Sequence, residues 1–104
     1  MDAVLHALAD PHRRTMMQIL RHADTTAGQL AEALPIARPG VSRHLRVLRE
    51  AGLVEVRQDG RVRTYSLRVQ PLAEIDTWLT PYRAIWQRRM DDLRDEITRG
   101  RTPP

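Results

Sequence analysis

A chain of 104 residues has room for one domain, and at that length folding buries roughly two-thirds of the surface an unfolded chain exposes. Charged residues make up 29% and hydrophobic residues 41%, the balance of a soluble globular protein, and no apolar run approaches the roughly 18 residues of a membrane span. With no cysteine there are no disulfides, thiolate metal sites or cysteine nucleophiles, which leaves His6, His12, His22 and His44 as the soft ligands.

The opening segment, residues 1–10, has acidic residues and no basic stretch before an apolar one, so a secretory or transit peptide is not expected and the cytoplasm is the expected location. Arginine supplies all 17 cations against 13 acidic residues, a formal charge of +4. Arginine's planar fork suits phosphates and guanine edges, but its placement carries more information than its number.

Val4, Leu5 and Leu8 are at helical spacing, and Asp10-Pro11 reads as an N-cap followed by the residue favoured in a first helical turn. The second helix gathers Met16, Met17, Ile19 and Leu20 on one face, with Arg13, Arg14, Gln18 and Arg21 expected outward. Thr26 to Gln29 fits a capping box opening a short third helix that Pro35 ends. Residues 36–40 are expected as a tight connection into a fourth helix from Val41 to Ala51, where Val41, Leu45 and Leu48 repeat with helical period. Gly52 reads as its C′ residue, with Leu53 placed against Leu48.

The period then changes to two. Residues 54–57 and 61–67 flank an Asp59-Gly60 turn signal and predict a β-hairpin. From Pro71 onward a long amphipathic helix carries Leu72, Ile75, Leu79, Tyr82, Trp86, Met90, Leu93 and Ile97 in steps of three and four, widened by Trp78 and Ile85, with Pro81 as a place for a kink. The expected fold is therefore mainly α with a small β-hairpin, α1-α2-α3-α4-β1-β2-α5: one domain over residues 1–99 and a frayed tail at 100–104.

Two short helices joined by a tight turn, the second followed at once by a hairpin, make a winged helix-turn-helix. At about 100° per residue, Val41, Leu45 and Leu48 point one way while Pro39, Arg43, Arg46 and Glu50 point the other. Arg38, Gly40, Ser42 and Arg43 cluster at the start of the fourth helix, where free amides and the helix dipole favour phosphate. Arg57, Arg61 and Arg63 surround the hairpin turn. These residues, with Arg46 and His44, are the candidate contacts to double-stranded DNA. For His44 a structural hydrogen bond and a phosphate contact are both open.

The segments ALADPHRRTMMQIL (7–20), QLAEAL (29–34) and PGVSRHLRVLREAGLVEVRQDGRVRTYSL (39–67) resemble the ArsR family of bacterial winged-helix repressors. The resemblance implies a homodimeric repressor that occludes a promoter at an inverted-repeat operator, with the first and last helices forming the dimer interface. Leu5 and Leu8 then join Ile75, Trp78, Leu79, Tyr82, Ile85, Trp86 and Met90 as dimerisation candidates. The tail WLTPYRAIWQRRMDDL (78–93) is similar to a branch of the family without metal boxes. Metal-sensing members carry a cysteine pair or His and carboxylate ligands on the last helix. This chain has no cysteine, and its last helix has no histidine, so neither metal nor cofactor is expected.

Rival readings are weaker. Ser42 and His44 project about 200° apart on a helix, and no acid is evidently placed in the sequence to orient the imidazole, so catalysis is not expected. The carboxylates Asp91, Asp92, Asp95 and Glu96 are expected to pair with Arg88 and Arg99 rather than hold a cation. RNA binding needs exposed stacking aromatics, and the aromatics here fall mostly in apolar stripes. A winged-helix module that binds proteins instead of specific DNA is the alternative function. A small apolar effector near Trp78, Tyr82 and Trp86 would be the trigger for release, if the regulator has one.

Overall fold

A computed structural model describes residues 1–100. The elements follow in the order α1 (Asp2–Leu8), α2 (Pro11–His22), β1 (Thr25–Thr26), α3 (Ala27–Ala33), α4 (Arg38–Glu50), β2 (Val54–Asp59), β3 (Val62–Leu67) and α5 (Leu72–Gly100). Residues Met1–Ala73 form one compact unit, and the chain from Glu74 onward forms a second. This is the winged helix-turn-helix expected from the sequence, with several local differences. Among the described residues no helix is long and apolar enough to cross a membrane.

The helix ends follow local chemistry. Asp10 Oδ1 accepts from the backbone N–H groups of His12 (2.8 Å) and Arg13 (3.2 Å), fixing the start of α2 with Pro11 in its first turn. The Thr26 hydroxyl accepts from Gln29 N–H while the Gln29 side chain accepts from Thr26 N–H, a complete capping box. At the end of α4, Gly52 has φ +77°, Gly52 N–H reaches Arg49 O and Leu53 N–H reaches Leu48 O, each at 3.0 Å, a full Schellman motif.

The sheet differs from the expected hairpin. It has three antiparallel strands in the order β1-β3-β2, because Thr25 and Thr26 pair with Tyr65 and Thr64. Thr26 is already extended as the N-cap of α3, so one conformation serves both purposes. The turn is displaced by one residue: the ladder closes at Asp59–Val62, so the two-residue loop is Gly60-Arg61. Gly60 has φ +62° while Arg61 is not left-handed, the pattern of a type II′ turn.

Helix α4 starts at Arg38 rather than Val41, since Pro39 is pre-set for a first helical turn. Gly40 N–H donates to Ala37 O at 2.9 Å, so this amide, expected to be free for phosphate, is already engaged. The core of the first unit gathers Met16, Leu20, Leu30, Leu34, Val41, Leu45, Leu48, Leu53, Val54 and Tyr65, with Met17 and Ile19 half-buried.

Arg13 corrects the expected polar face of α2, because it is buried, with 9% exposure. Its Nε donates to Ala7 O (2.6 Å) and Nη2 to His6 O (3.1 Å), and Arg14 Nη1 donates to Leu8 O (2.8 Å). The two arginines thus bond the last carbonyls of α1, His6 O sharing its lone pairs with the backbone N–H of Ala9 at 3.2 Å.

Helix α5 runs unbroken through Pro81 to Gly100, so Gly100 ends a helix where a frayed tail was expected. The remainder of that expected tail, 101–104, lies outside the described residues. Near Pro81, Thr80 Oγ1 (3.3 Å) and Arg83 Nη2 (2.9 Å) both donate to Asp76 O. Asp91 accepts from Gln87 Nε2 at 3.0 Å rather than from an arginine.

Candidate nucleic-acid interface

The α4 sequence sorts into two sides. Val41, Leu45 and Leu48 are buried and seat the helix, leaving Arg38, Ser42, Arg43, Arg46 and Arg49 exposed. Arg38, Ser42, Arg46 and Arg49 recur at helical spacing, so they form one stripe.

β3 supplies the facing side. Side chains alternate along a strand, which puts Arg63 on the face that carries Tyr65. A cleft of about 260 Å³ follows, lined by Ala27, Gly28 and Ala31 of α3, by Arg38, Val41, Ser42, Leu45, Arg46 and Arg49 of α4, and by Arg63 and Tyr65 of β3. Beside it a shallower recess of about 370 Å³ is lined by Thr26, Ala27, Gly28, Arg38, Arg61, Val62 and Arg63. Arg38 and Arg63 border both, so the α4 stripe and the wing form one cationic surface.

The structure therefore brings together Arg38, Ser42, Arg46, Arg61 and Arg63 from the sequence expectation. Arg43 is exposed on α4 but turned away from the cleft, beside Pro39 and Glu50. Arg57 does not join them: it pairs in register with Thr64, on the opposite sheet face from Arg63. Gly40 does not line the cleft, and a Cβ there would stand at an ordinary 3.7 Å from Ile36 Cδ1.

Arg49 was missed. Its spacing of three from Arg46 and seven from Ser42 is the signal in the sequence that places it on the same stripe.

His44 has a different setting. Its side chain is only 17% exposed, Nδ1 is 3.1 Å from Arg13 Nη1, and Nε2 is 3.9 Å from Asp10 Oδ1. The His12 ring lies 5.8 Å away, centroid to centroid. Burial pushes the His44 pKa below histidine's ordinary range; Asp10 opposes this, while Arg13, His12 and Arg43 reinforce it.

On α5 the expected dimerisation residues are largely exposed: Trp78, Leu79, Tyr82, Ile85, Trp86 and Met90 all present large apolar surface, and Ile75 is half-buried. The stripe continues through Leu93 and Ile97. Trp78 and Tyr82 pack ring against ring at 4.7 Å. On α1, Leu5 is exposed and Leu8 half-buried. Among the described residues no cluster of His, Asp and Glu is arranged to hold a metal ion.

Comparison with known proteins agrees with this arrangement. A helix-turn-helix domain family model matches residues 8–57. The transcriptional repressor SdpR of Bacillus subtilis is 34% identical over 79 residues, covering 76% of this chain and 88% of SdpR. The HTH-type transcriptional regulator Rv2034 of Mycobacterium tuberculosis is 40% identical over 89 residues, covering 86% of this chain and 80% of that protein. An ArsR-like transcriptional regulator from Rhodococcus sp. RHA1 superposes with a TM-score of 0.73 at 31% identity, over 97% of this chain and 92% of the other. A basic α4 beside a basic wing, on a fold and sequence shared with these regulators, makes the chain a member of the ArsR family of winged helix-turn-helix, DNA-binding transcriptional regulators.

Proposed function

We propose that the protein is a homodimeric repressor that occludes a promoter by binding an inverted-repeat operator, with residues 1–99 as the working domain. The observation that carries this reading is the shared cleft of Arg38, Ser42, Arg46, Arg49 and Arg63. Guanidinium groups from a helix and a wing there face one volume, suited to a phosphate backbone entering beside a base edge. Arg61, at the tip of the wing, extends the same surface outward. Arg43, on the outer side of α4, is free to reach base edges, where an arginine pairs with guanine O6 and N7. SdpR's description as a transcriptional repressor supports the direction of control.

The exposed apolar stripe of α5 supports the homodimer, since a partner of like chemistry would cover it. The Trp78–Tyr82 pair is the place proposed for a small apolar effector.

Selection of bound duplexes from a random pool, using the whole chain, tests the reading. The expected product is an inverted repeat whose half-site centres lie roughly 34 Å apart, so that both recognition helices reach successive major grooves. A pool that shows no enrichment, or salt-insensitive binding, would favour a protein-interaction module instead.

A further inference from the structure

We infer that Arg13 is a positioning residue for DNA reading: it anchors the recognition helix α4 to the end of α1 through His44. The inference rests on the DNA-binding role of α4 proposed above.

The geometry is specific to this side chain. A buried guanidinium divides its donors among three acceptors: Nε to Ala7 O at 2.6 Å, Nη2 to His6 O at 3.1 Å and Nη1 to His44 Nδ1 at 3.1 Å. The first two acceptors are fixed points on α1 and the third is on α4, next in sequence to Arg43 and two residues from Ser42. Because the fork is planar and rigid, fixing two of its arms on backbone carbonyls fixes the third. A lysine has one nitrogen and cannot span the three acceptors.

The contact also selects one state of the imidazole. Guanidinium has donors only, so His44 Nδ1 is the acceptor and the neutral ring carries its hydrogen on Nε2, toward Asp10 Oδ1 at 3.9 Å. A second proton on Nδ1 would replace the bond with a clash between two donors of like charge. The groups around the ring are Asp10 ahead of α2, His12 and Arg13 on α2, and Arg43 on α4, while α1 contributes its carbonyls through Arg13. Among the described side chains around the ring, Asp10 alone favours the imidazolium.

The consequence for binding has a sign that separates this role from a direct contact. A histidine that touches phosphate strengthens DNA binding when it gains charge at low pH. A histidine that must stay neutral to seat α4 weakens sequence-specific binding as pH falls below histidine's ordinary 6.5.

The test measures affinity of the whole chain for the duplex recovered by selection and for a scrambled duplex of the same length, between about pH 5 and pH 8. The parent is expected to lose preference for the selected duplex on the acid side. His44→Asn, which keeps an oxygen acceptor near the Nδ1 position and cannot titrate, is expected to retain neutral-pH affinity and flatten the acid limb. Arg13→Lys is expected to lose about tenfold on the selected duplex with little change on the scrambled one.

A DNA-free readout, the ¹⁵N shifts of the His44 ring, is expected to show the hydrogen on Nε2 at neutral pH. A hydrogen on Nδ1, or selected-duplex affinity that rises as pH falls, would overturn the proposal, as would Arg13→Lys binding both duplexes like the parent. If Arg13→Lys does not fold, the His44→Asn profile and the ring tautomer still decide. A pool without enrichment would defeat the DNA-reading function and the positioning role with it, and the ring tautomer would show separately whether the anchor itself exists.

Discussion

Leu53 donates its backbone N–H to the carbonyl of Leu48 at 3.0 Å, and both side chains are fully buried. One bond thus ends α4 and leads into β2, linking the helix and the wing that are proposed to face DNA. The reversal needs Gly52 at φ +77°. A Cβ there would meet Pro71 Cγ at 3.5 Å, an ordinary contact, so the cost of a side chain is conformational. Gly52→Ala is expected to lower the free energy of unfolding by about 1–2 kcal/mol in urea titration. A variant as stable as the parent would contradict the left-handed cap.

Asp10 predicts a pH dependence of stability. Burial raises its pKa, but the backbone N–H groups of Arg13 and His12, together with the charges of His44 and Arg13, outweigh this and hold it below 3.8. A carboxylate whose folded pKa is depressed contributes stability above its unfolded pKa and loses it as pH falls through the folded value. Stability should therefore decline as pH drops below 3.8. Asp10→Ala should cost about 1 kcal/mol at neutral pH, whereas Asp10→Asn should keep the cap and shallow the acid slope. Equal losses in both variants would argue against capping as the role of this side chain.

The features legible in the sequence are those whose causes are local. Asp10-Pro11, Thr26 with Gln29, and Gly52-Leu53 each bring cap and helix end together within a few residues, and all three form as expected. The missed features depend on distant partners. Thr25-Thr26 becomes a strand because β3 arrives beside it from far along the chain, and a two-residue run has no period to read. Arg13 looks like part of a solvated face until the carbonyls of α1 and the His44 ring close around it. Arg57 and Arg63 look equivalent around a turn, and only the strand register separates them.

That separation can be measured. Arg63 lines the cleft with Arg46, while Arg57 projects from the other sheet face. Arg63→Ala should weaken selected and scrambled duplexes by similar factors and reduce the salt slope by about 0.9, the loss of one phosphate contact. Arg57→Ala should leave the slope nearly unchanged. Identical slopes for the two variants would mean that the wing approaches DNA differently.

Arg43, exposed in the middle of α4 and outside the cleft lining, is proposed as a base-edge contact and so should give a different signature. Arg43→Ala should cost roughly 1–3 kcal/mol on the selected duplex and much less on a scrambled one, with thermal stability unchanged. Parental affinity for the selected duplex would remove Arg43 from the reading surface.

The last prediction concerns assembly. Trp86 is 67% exposed, and Trp78, Tyr82, Ile85 and Met90 extend the same apolar character along α5. A contiguous surface of this kind on a small chain is normally covered, and aromatic side chains contribute most where an interface excludes water. The chain should sediment as a dimer. Trp86→Glu would bring a carboxylate from each protomer to the seam in place of an aromatic side chain, and burying a charge there costs more than a dimer contact supplies. That variant should give a monomer or an aggregate with greatly weakened binding to a two-half-site duplex, while Trp86→Leu should remain dimeric. Because the cationic cleft belongs to the first unit, the monomer should still bind a single half-site duplex weakly and with salt dependence. A stable Trp86→Glu dimer with parental operator affinity would move the interface off this face of α5.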